Sequence, residues 1–200
     1  MSPVSTAPES RVRMPTDERP DLDAWLPDPQ VRAVHRRSAH AEPERLWSAA
    51  ASVRVADAPI LGRAVRWRIP GTPPGRSFRE LLRCYPFAVL DEGEAWSLSG
   101  LCGRLWTLRR DYPRIESPDE FRRWDEPGTV RVLIGHWIEA DADAGTEDRV
   151  TLVSESRVKP VDRRAALRLR GLWALVGGLE RRIGGEVLPI ATRRAEGGKD

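Results

Sequence analysis

Residues 162–194 constrain the fold of this chain more than any other stretch. Asp162 suits an N-cap, because its carboxylate can accept hydrogen bonds from the open N–H groups of a first helical turn. Beyond it Leu169, Leu172, Trp173, Val176, Leu179, Ile183, Val187 and Ile190 recur in steps of three and four. That spacing draws a single apolar stripe along a helix. Arg163, Arg164, Arg168, Arg170, Arg181 and Arg182 fall mostly off the stripe. A helix of this length would run roughly 45 Å at 1.5 Å per residue, and its apolar face needs a cover.

A sheet upstream supplies the cover. Residues 129–139 and 150–159 alternate as strands, joined by the polar loop ADADAGTEDR. In the second, Val150, Leu152, Ser154, Ser156 and Val158 share one face, and Thr151, Val153, Glu155, Arg157 and Lys159 share the other. Residues 85–90 and 95–102 read as a hairpin around Asp91–Glu94, with Gly100 and Gly103 marking a bulge or bend in its second strand. Residues 31–40 read as a further strand. Between them Pro43, with Glu42 and Glu44 beside it, opens a helix carrying Leu46, Trp47 and Ala50. A second short helix spans 58–67, and Ser77 caps a third bearing Phe78, Leu81 and Leu82. Ser117-Pro118-Asp119-Glu120 starts a fourth, with a capping serine and a glutamate three residues on.

The chain divides into three parts on this reading. Residues 1–28 form a disordered or loosely docked tail, with Trp25 and Leu26 as anchors, because the first twenty are too polar to offset ordering entropy. Residues 29–195 form one domain, and 196–200 a disordered end. Hydrophobic residues at 40% and charged residues at 32% suit a soluble domain, and no apolar run approaches membrane-spanning length. The N-terminus has no apolar signal core, so a cytoplasmic location is the expectation.

Chemistry-bearing motifs are scarce. His35, His40 and His136 have no metal spacing with one another or with cysteine, so neither a metal nor a cofactor is expected. Cys84 and Cys102 stand about equally far from the hairpin turn, which makes them candidate cross-strand neighbours, most simply as packed thiols. Ser97, Ser99, Ser154 and Ser156 lie in apparent strands and no GxSxG occurs, which argues against a serine hydrolase. His136 is the one catalytic candidate: facing a cavity it would contact a polar ligand or act as a general base, and otherwise it is a solvent-facing or internally bonded strand residue. Tryptophans either line a pocket or fill core, with Trp173, Trp96 and Trp137 the first choices for a pocket. Arg131, Glu155 and Arg157 belong either to a wet outer face or to a pocket mouth. Gly171, Gly177, Gly178, Gly184, Gly185 and Pro189 in the terminal segment imply close sheet approach, or a bend that makes room for a ligand.

The net charge of +3 falls short of a nucleic-acid-binding signature, so no nucleic acid is expected. Residues 157–194 nevertheless hold ten Arg or Lys against Asp162, Glu180 and Glu186. A solvated helix face accounts for this most simply. The alternative is a surface that meets anionic lipid or an acidic partner.

Residues 41–47, AEPERLW, resemble the A-P-x-x-V-W opening that follows the first strand in START-like, polyketide-cyclase/dehydrase-type (SRPBCC) proteins, with Glu42 inserted ahead of the proline. SESRV at 154–158, running through Pro160 and Asp162 into RGLWALVGGLERRIGGEVL, resembles the last strand and grip helix of actinobacterial members of that superfamily. The resemblance implies an α+β helix-grip fold over residues 31–195, a curved antiparallel sheet wrapped around a long C-terminal helix with two short helices after the first strand. It implies a cavity between sheet and helix for a small apolar or amphipathic ligand, lined by Trp96, Leu98, Trp137, Leu152, Ser154, Leu169, Trp173 and Val176. Carrier or sensing proteins and cyclase- or dehydratase-like enzymes both use such a cavity, and a fold alone does not choose between them. Neither the ligand nor the oligomeric state is legible.

Overall fold

A computed structural model describes residues 19–107, 112–140, 149–183 and 185–197. Five strands form one antiparallel sheet in the order β1-β5-β4-β3-β2: β1 Val31–His40, β2 Ala88–Glu92, β3 Trp96–Gly103, β4 Val130–Ala140 and β5 Arg149–Pro160. Helices α2 Pro43–Ser52, α3 Pro59–Arg68 and α4 Phe78–Leu82 connect β1 to β2. Helix α5 Pro118–Arg123 lies between β3 and β4, and α6 Arg163–Ile183 and α7 Val187–Gly197 follow β5. A four-residue helix, α1 Leu22–Trp25, precedes the sheet. The architecture is α+β in the helix-grip order.

Local chemistry fixes the helix starts. The Ser77 hydroxyl accepts from the Glu80 N–H at 3.2 Å while the Glu80 carboxylate accepts from the Ser77 N–H at 2.9 Å. Ser117 caps α5 through the Glu120 N–H at 3.2 Å. Asp162 accepts from the Ala165 N–H at 2.8 Å and from the Gly128 N–H at 2.6 Å, so one carboxylate starts α6 and ties it to the turn before β4. Those backbone bonds hold its carboxyl below the usual range.

The expected single helix over 162–194 is two helices. Pro189 supplies the physical reason. In an unbroken helix its ring would collide with the carbonyl of residue 185 and delete a hydrogen bond, costing about 3 kcal/mol. With α7 starting at Val187, Pro189 sits in the first turn, where its missing N–H has no partner to lose. Residues 184 and 185 are glycines, which add little to helix continuity.

The sheet has two covered faces. On the first, here the grip face, Val150 and Leu152 of β5 and Ile138 of β4 meet Leu46 of α2 and Leu188 and Ala191 of α7. Further along, Val158, Val132 and Leu101 meet Leu169 of α6. On the back face Leu133, Trp137, Val153 and Leu98 lie under Leu22, Trp25 and Leu26, with Phe121 of α5 beside them. Glycines make seats there. A Cβ on Gly100 would stand 2.7 Å from Phe121 Cδ2, and one on Gly135 would stand 3.3 Å from Leu22 Cδ2. The hairpin irregularity falls in β2, between Val89 and Asp91, rather than at Gly100 in β3.

The back face is therefore not wet. Glu155 and Arg157 are 0% and 3% exposed. Arg32 forks onto Glu155 at 2.8 and 3.0 Å, Arg157 Nε donates to Glu155 at 2.6 Å, and Arg157 Nη1 reaches Asp23 and the Leu26 carbonyl. Lys159 adds a bond to the Pro27 carbonyl at 2.7 Å. Residues 19–28, expected within a disordered or loosely docked tail anchored by Trp25 and Leu26, form a strap in which Leu22, Trp25 and Leu26 are buried. Burial by itself would raise the Glu155 pKa, but the hydrogen bonds and charges of Arg32 and Arg157 outweigh it and hold the carboxyl low. Cys84 is exposed and Cys102 buried, both as free thiols, and burial pushes the Cys102 thiol up to about 12.

Candidate functional site

Strand register builds a polar row across the grip face. His35 of β1 stands opposite Ser154 of β5, Ser154 opposite His136 of β4, His136 opposite Ser97 of β3, and Ser97 opposite Glu92 of β2. One step along, Ser156 and Ser99 flank Ile134 in the adjacent row. This polar band separates the two apolar clusters of the grip face. The break between α6 and α7 lies over it: a Cβ on Gly185 would approach His35 Nδ1 to 3.1 Å. A continuous helix bearing side chains at that point would press on the imidazole.

His136 Nε2 and Ser154 Oγ are 3.2 Å apart. Burial pushes the His136 pKa down to about 4, so the ring is neutral near pH 7. A neutral imidazole presents one donor and one acceptor. It can therefore join a hydrogen-bonded row without bringing a charge into the interior.

A cleft of about 50 Å³ opens onto this row. Its floor is Ser97, Ser99, His136 and Leu152 of the sheet, and its walls are Trp47, Ala50 and Ala51 of α2, Phe78 and Leu82 of α4, and Val187 and Leu188 of α7. At its rim Arg83 forks onto Glu92, with Nη2 3.1 Å from Oε1, and Arg79 lies 5.9 Å from the Trp47 ring centre. The arrangement is an apolar funnel with hydroxyls and an imidazole at its base. At about 50 Å³ the cleft is small beside the roughly 300–1,000 Å³ of a pocket for a drug-sized ligand.

The cavity residues expected from sequence separate by face. Leu152 lines the cleft, and Ser154 lies in the polar row beside His136. Leu169 is fully buried in the cluster with Val158, and Trp173 packs partly against that cluster. The Trp173 indole lies across Gly177, where a Cβ would meet Nε1 at 2.9 Å. Val176 is half-buried on α6. Trp96, Leu98 and Trp137 lie on the back face, away from the cleft, as a correction to the sequence reading. Trp137 is fully buried there and donates to Glu139 at 2.8 Å. Phe78, Leu82 and Leu188 of the cleft were missed as site residues; the signal for the first two was their i, i+4 spacing behind the Ser77 cap. Among the described residues no three His, Cys, Asp or Glu side chains are grouped to hold a metal ion.

No family model matches this chain. No curated protein matches it either. Two solved structures overlay loosely. The TTHA0849 protein of Thermus thermophilus is 12% identical, with 85% of this chain and 100% of that one covered and a TM-score of 0.31. The Zhui aromatase/cyclase of Streptomyces sp. R1128 is 13% identical, with 84% and 98% covered and a TM-score of 0.29. Overlays this loose carry no weight for function, which must be argued from the residues of the cleft. Among the described residues no helix is long and apolar enough to cross a membrane.

Proposed function

We propose that the chain binds a small amphipathic molecule in the grip-face cleft, with its apolar body against Trp47, Phe78, Leu82 and Leu188 and its polar group toward Ser97, Ser99 and His136. One observation supports this above the rest: apolar walls from three helices converge on a hydrogen-bonding row that crosses the sheet. Pockets for small molecules combine a mainly apolar lining with a few fixed polar groups. Drug-sized ligands need about 300–1,000 Å³, so a ligand of that size requires the cleft to widen. Helix α4 is the short wall, five residues long, and the exposed Arg83–Glu92 pair holds it to β2. The START-like resemblance of the sequence implies a ligand on this same side of the sheet.

A cyclase-like reaction in the same cleft has less support. A general base works best with a pKa near the operating pH, and burial places His136 well below neutrality.

Native mass spectrometry of the purified chain, followed by titration with the amphipathic probe 1-anilinonaphthalene-8-sulfonate, tests the reading. Expected is a retained small molecule or saturable probe binding, weakened about tenfold by Leu188→Arg, which sets a charge against the apolar wall. No bound mass together with no saturable probe binding would overturn it.

A further inference from the structure

Six large apolar side chains are exposed among the described residues, and four of them lie on two helices: Ile60 at 53% and Trp67 at 61% on α3, Leu167 at 58% and Leu175 at 83% on α6. Exposed single leucines are ordinary. Four on two helices, each set among arginines, are less ordinary. On α3, Ile60, Arg63 and Trp67 share one stripe at steps of three and four, with Arg66 beside it, and all four are exposed. On α6, Leu167, Gly171, Ala174 and Gly178 share an exposed stripe, with Leu175 on one flank and Arg163, Arg164, Arg168 and Arg170 around it. Neither α3 nor residues 163–179 contain an acidic residue.

The two helices are tied to common partners at both ends. The N–H groups of Ile60 and Leu61 at the start of α3 donate to Glu186, in the turn that follows α6. At the other end Arg68 donates to the Arg104 carbonyl and lies 4.9 Å from the Tyr112 ring centre. Arg168 of α6 lies 5.9 Å from the ring centre of Trp106, two residues beyond Arg104. Both helices are therefore anchored to the same two places, the turn after α6 and the segment around Arg104 and Trp106.

We propose that the α3–α6 surface docks reversibly on an anionic lipid bilayer, with Ile60, Trp67, Leu167 and Leu175 entering the interface and the surrounding arginines meeting lipid phosphates. Isolated apolar tips inside a frame in which arginines outnumber the nearby acids, Glu180 and Glu186, match the two attractions that hold amphipathic helices on anionic membranes. A protein partner of the usual kind would find no continuous apolar core here, since glycine and alanine occupy the centre of the α6 stripe. The arginine side chains also have apolar stems that can lie along the interface. This docking is independent of whether the cleft binds a ligand.

Flotation of the full chain with vesicles of phosphatidylcholine alone, and of phosphatidylcholine with phosphatidylglycerol, tests the proposal. Expected is binding to the anionic vesicles only, lost at high salt, and reduced about tenfold or more by Leu175→Glu or Trp67→Glu. Both positions are well exposed, and a circular dichroism melt checks that each variant folds. Equal binding to neutral vesicles, no binding to either, or binding unchanged by both variants would overturn it. So would light scattering that shows a dimer dissociated by Leu175→Glu, which would make a second copy of this chain the occupant of the surface.

Discussion

The two faces of the sheet are both covered, yet they are built on different principles. The back face takes large side chains into glycine seats, with Phe121 over Gly100 and Leu22 over Gly135, and seals a buried ion network beneath a strap. The grip face keeps small polar residues in a row and meets a helix that is interrupted above them. Within the sheet, the strand tryptophans Trp96 and Trp137 lie on the solid side, and Ser97, Ser99 and Ser154 lie on the side with space. Large flat rings fill volume, whereas a row of Ser and His over a helix break leaves some of it open.

Neighbouring residues of β5 give the sharpest way to break this contrast. Glu155→Ala leaves Arg157 buried without its main partner and is expected to cost about 3–5 kcal/mol. Ser154→Ala, one residue away on the other face, is expected to cost about 1 kcal/mol or less. Urea unfolding of both variants measures the difference, and equal losses would mean that the faces are alike. Next in size, Gly100→Ala forces a methyl against the Phe121 ring and is expected to destabilise by about 1–3 kcal/mol, read by the same unfolding curves.

Acid should act on both faces. The carboxyl of Glu155 is held low in the fold, so its contribution is present above the ordinary carboxylate range and lost as pH falls through the folded value. The folded pKa of His136, about 4, lies below the ordinary histidine value of 6.5. Its contribution is likewise complete above the unfolded value and lost as pH falls toward 4. Imidazole NMR is expected to show His136 neutral until about pH 4; titration near 6.5 would place it in water. The smallest effect belongs to Pro189→Ala. With the break already made, an N–H at position 189 is not needed in the first turn of α7, and a change under about 1 kcal/mol is expected in a thermal melt. A large gain would show that proline strains α7.

Much of the fold was legible in the residues. The alternation in β4 and β5, the Ser77, Ser117 and Asp162 caps and the order of elements all follow local rules that the structure obeys. The glycines and Pro189 allowed a bend, but its form as a break between two helices was not legible, because an interruption near one turn in length keeps the stripe in phase. The spacing from Ile183 to Val187 to Ile190 therefore reads as one uninterrupted stripe. Alternation also told which residues share a face without telling which face the C-terminal helices would take. Both faces of β4 are apolar because both are covered, so alternation did not decide which of Trp137 and His136 would face the cleft. Glu155 and Arg157 read as a wet outer face or a pocket mouth, and neither describes their burial, for a related reason. The strap that buries them comes from residues 19–28, more than a hundred positions away, and only Trp25 and Leu26 announced it.

The most direct measurement is an NMR titration of the full chain with 1-anilinonaphthalene-8-sulfonate, following the His136 imidazole, the Leu152 and Leu188 methyls and the Trp47, Trp96 and Trp137 indoles together. If the grip face is the binding side, His136, Leu152, Leu188 and Trp47 shift with one saturating curve while Trp96 and Trp137 stay in place. Saturating shifts at Trp96 and Trp137 with His136 unmoved would contradict the account, because the solid face would then be the one that opens.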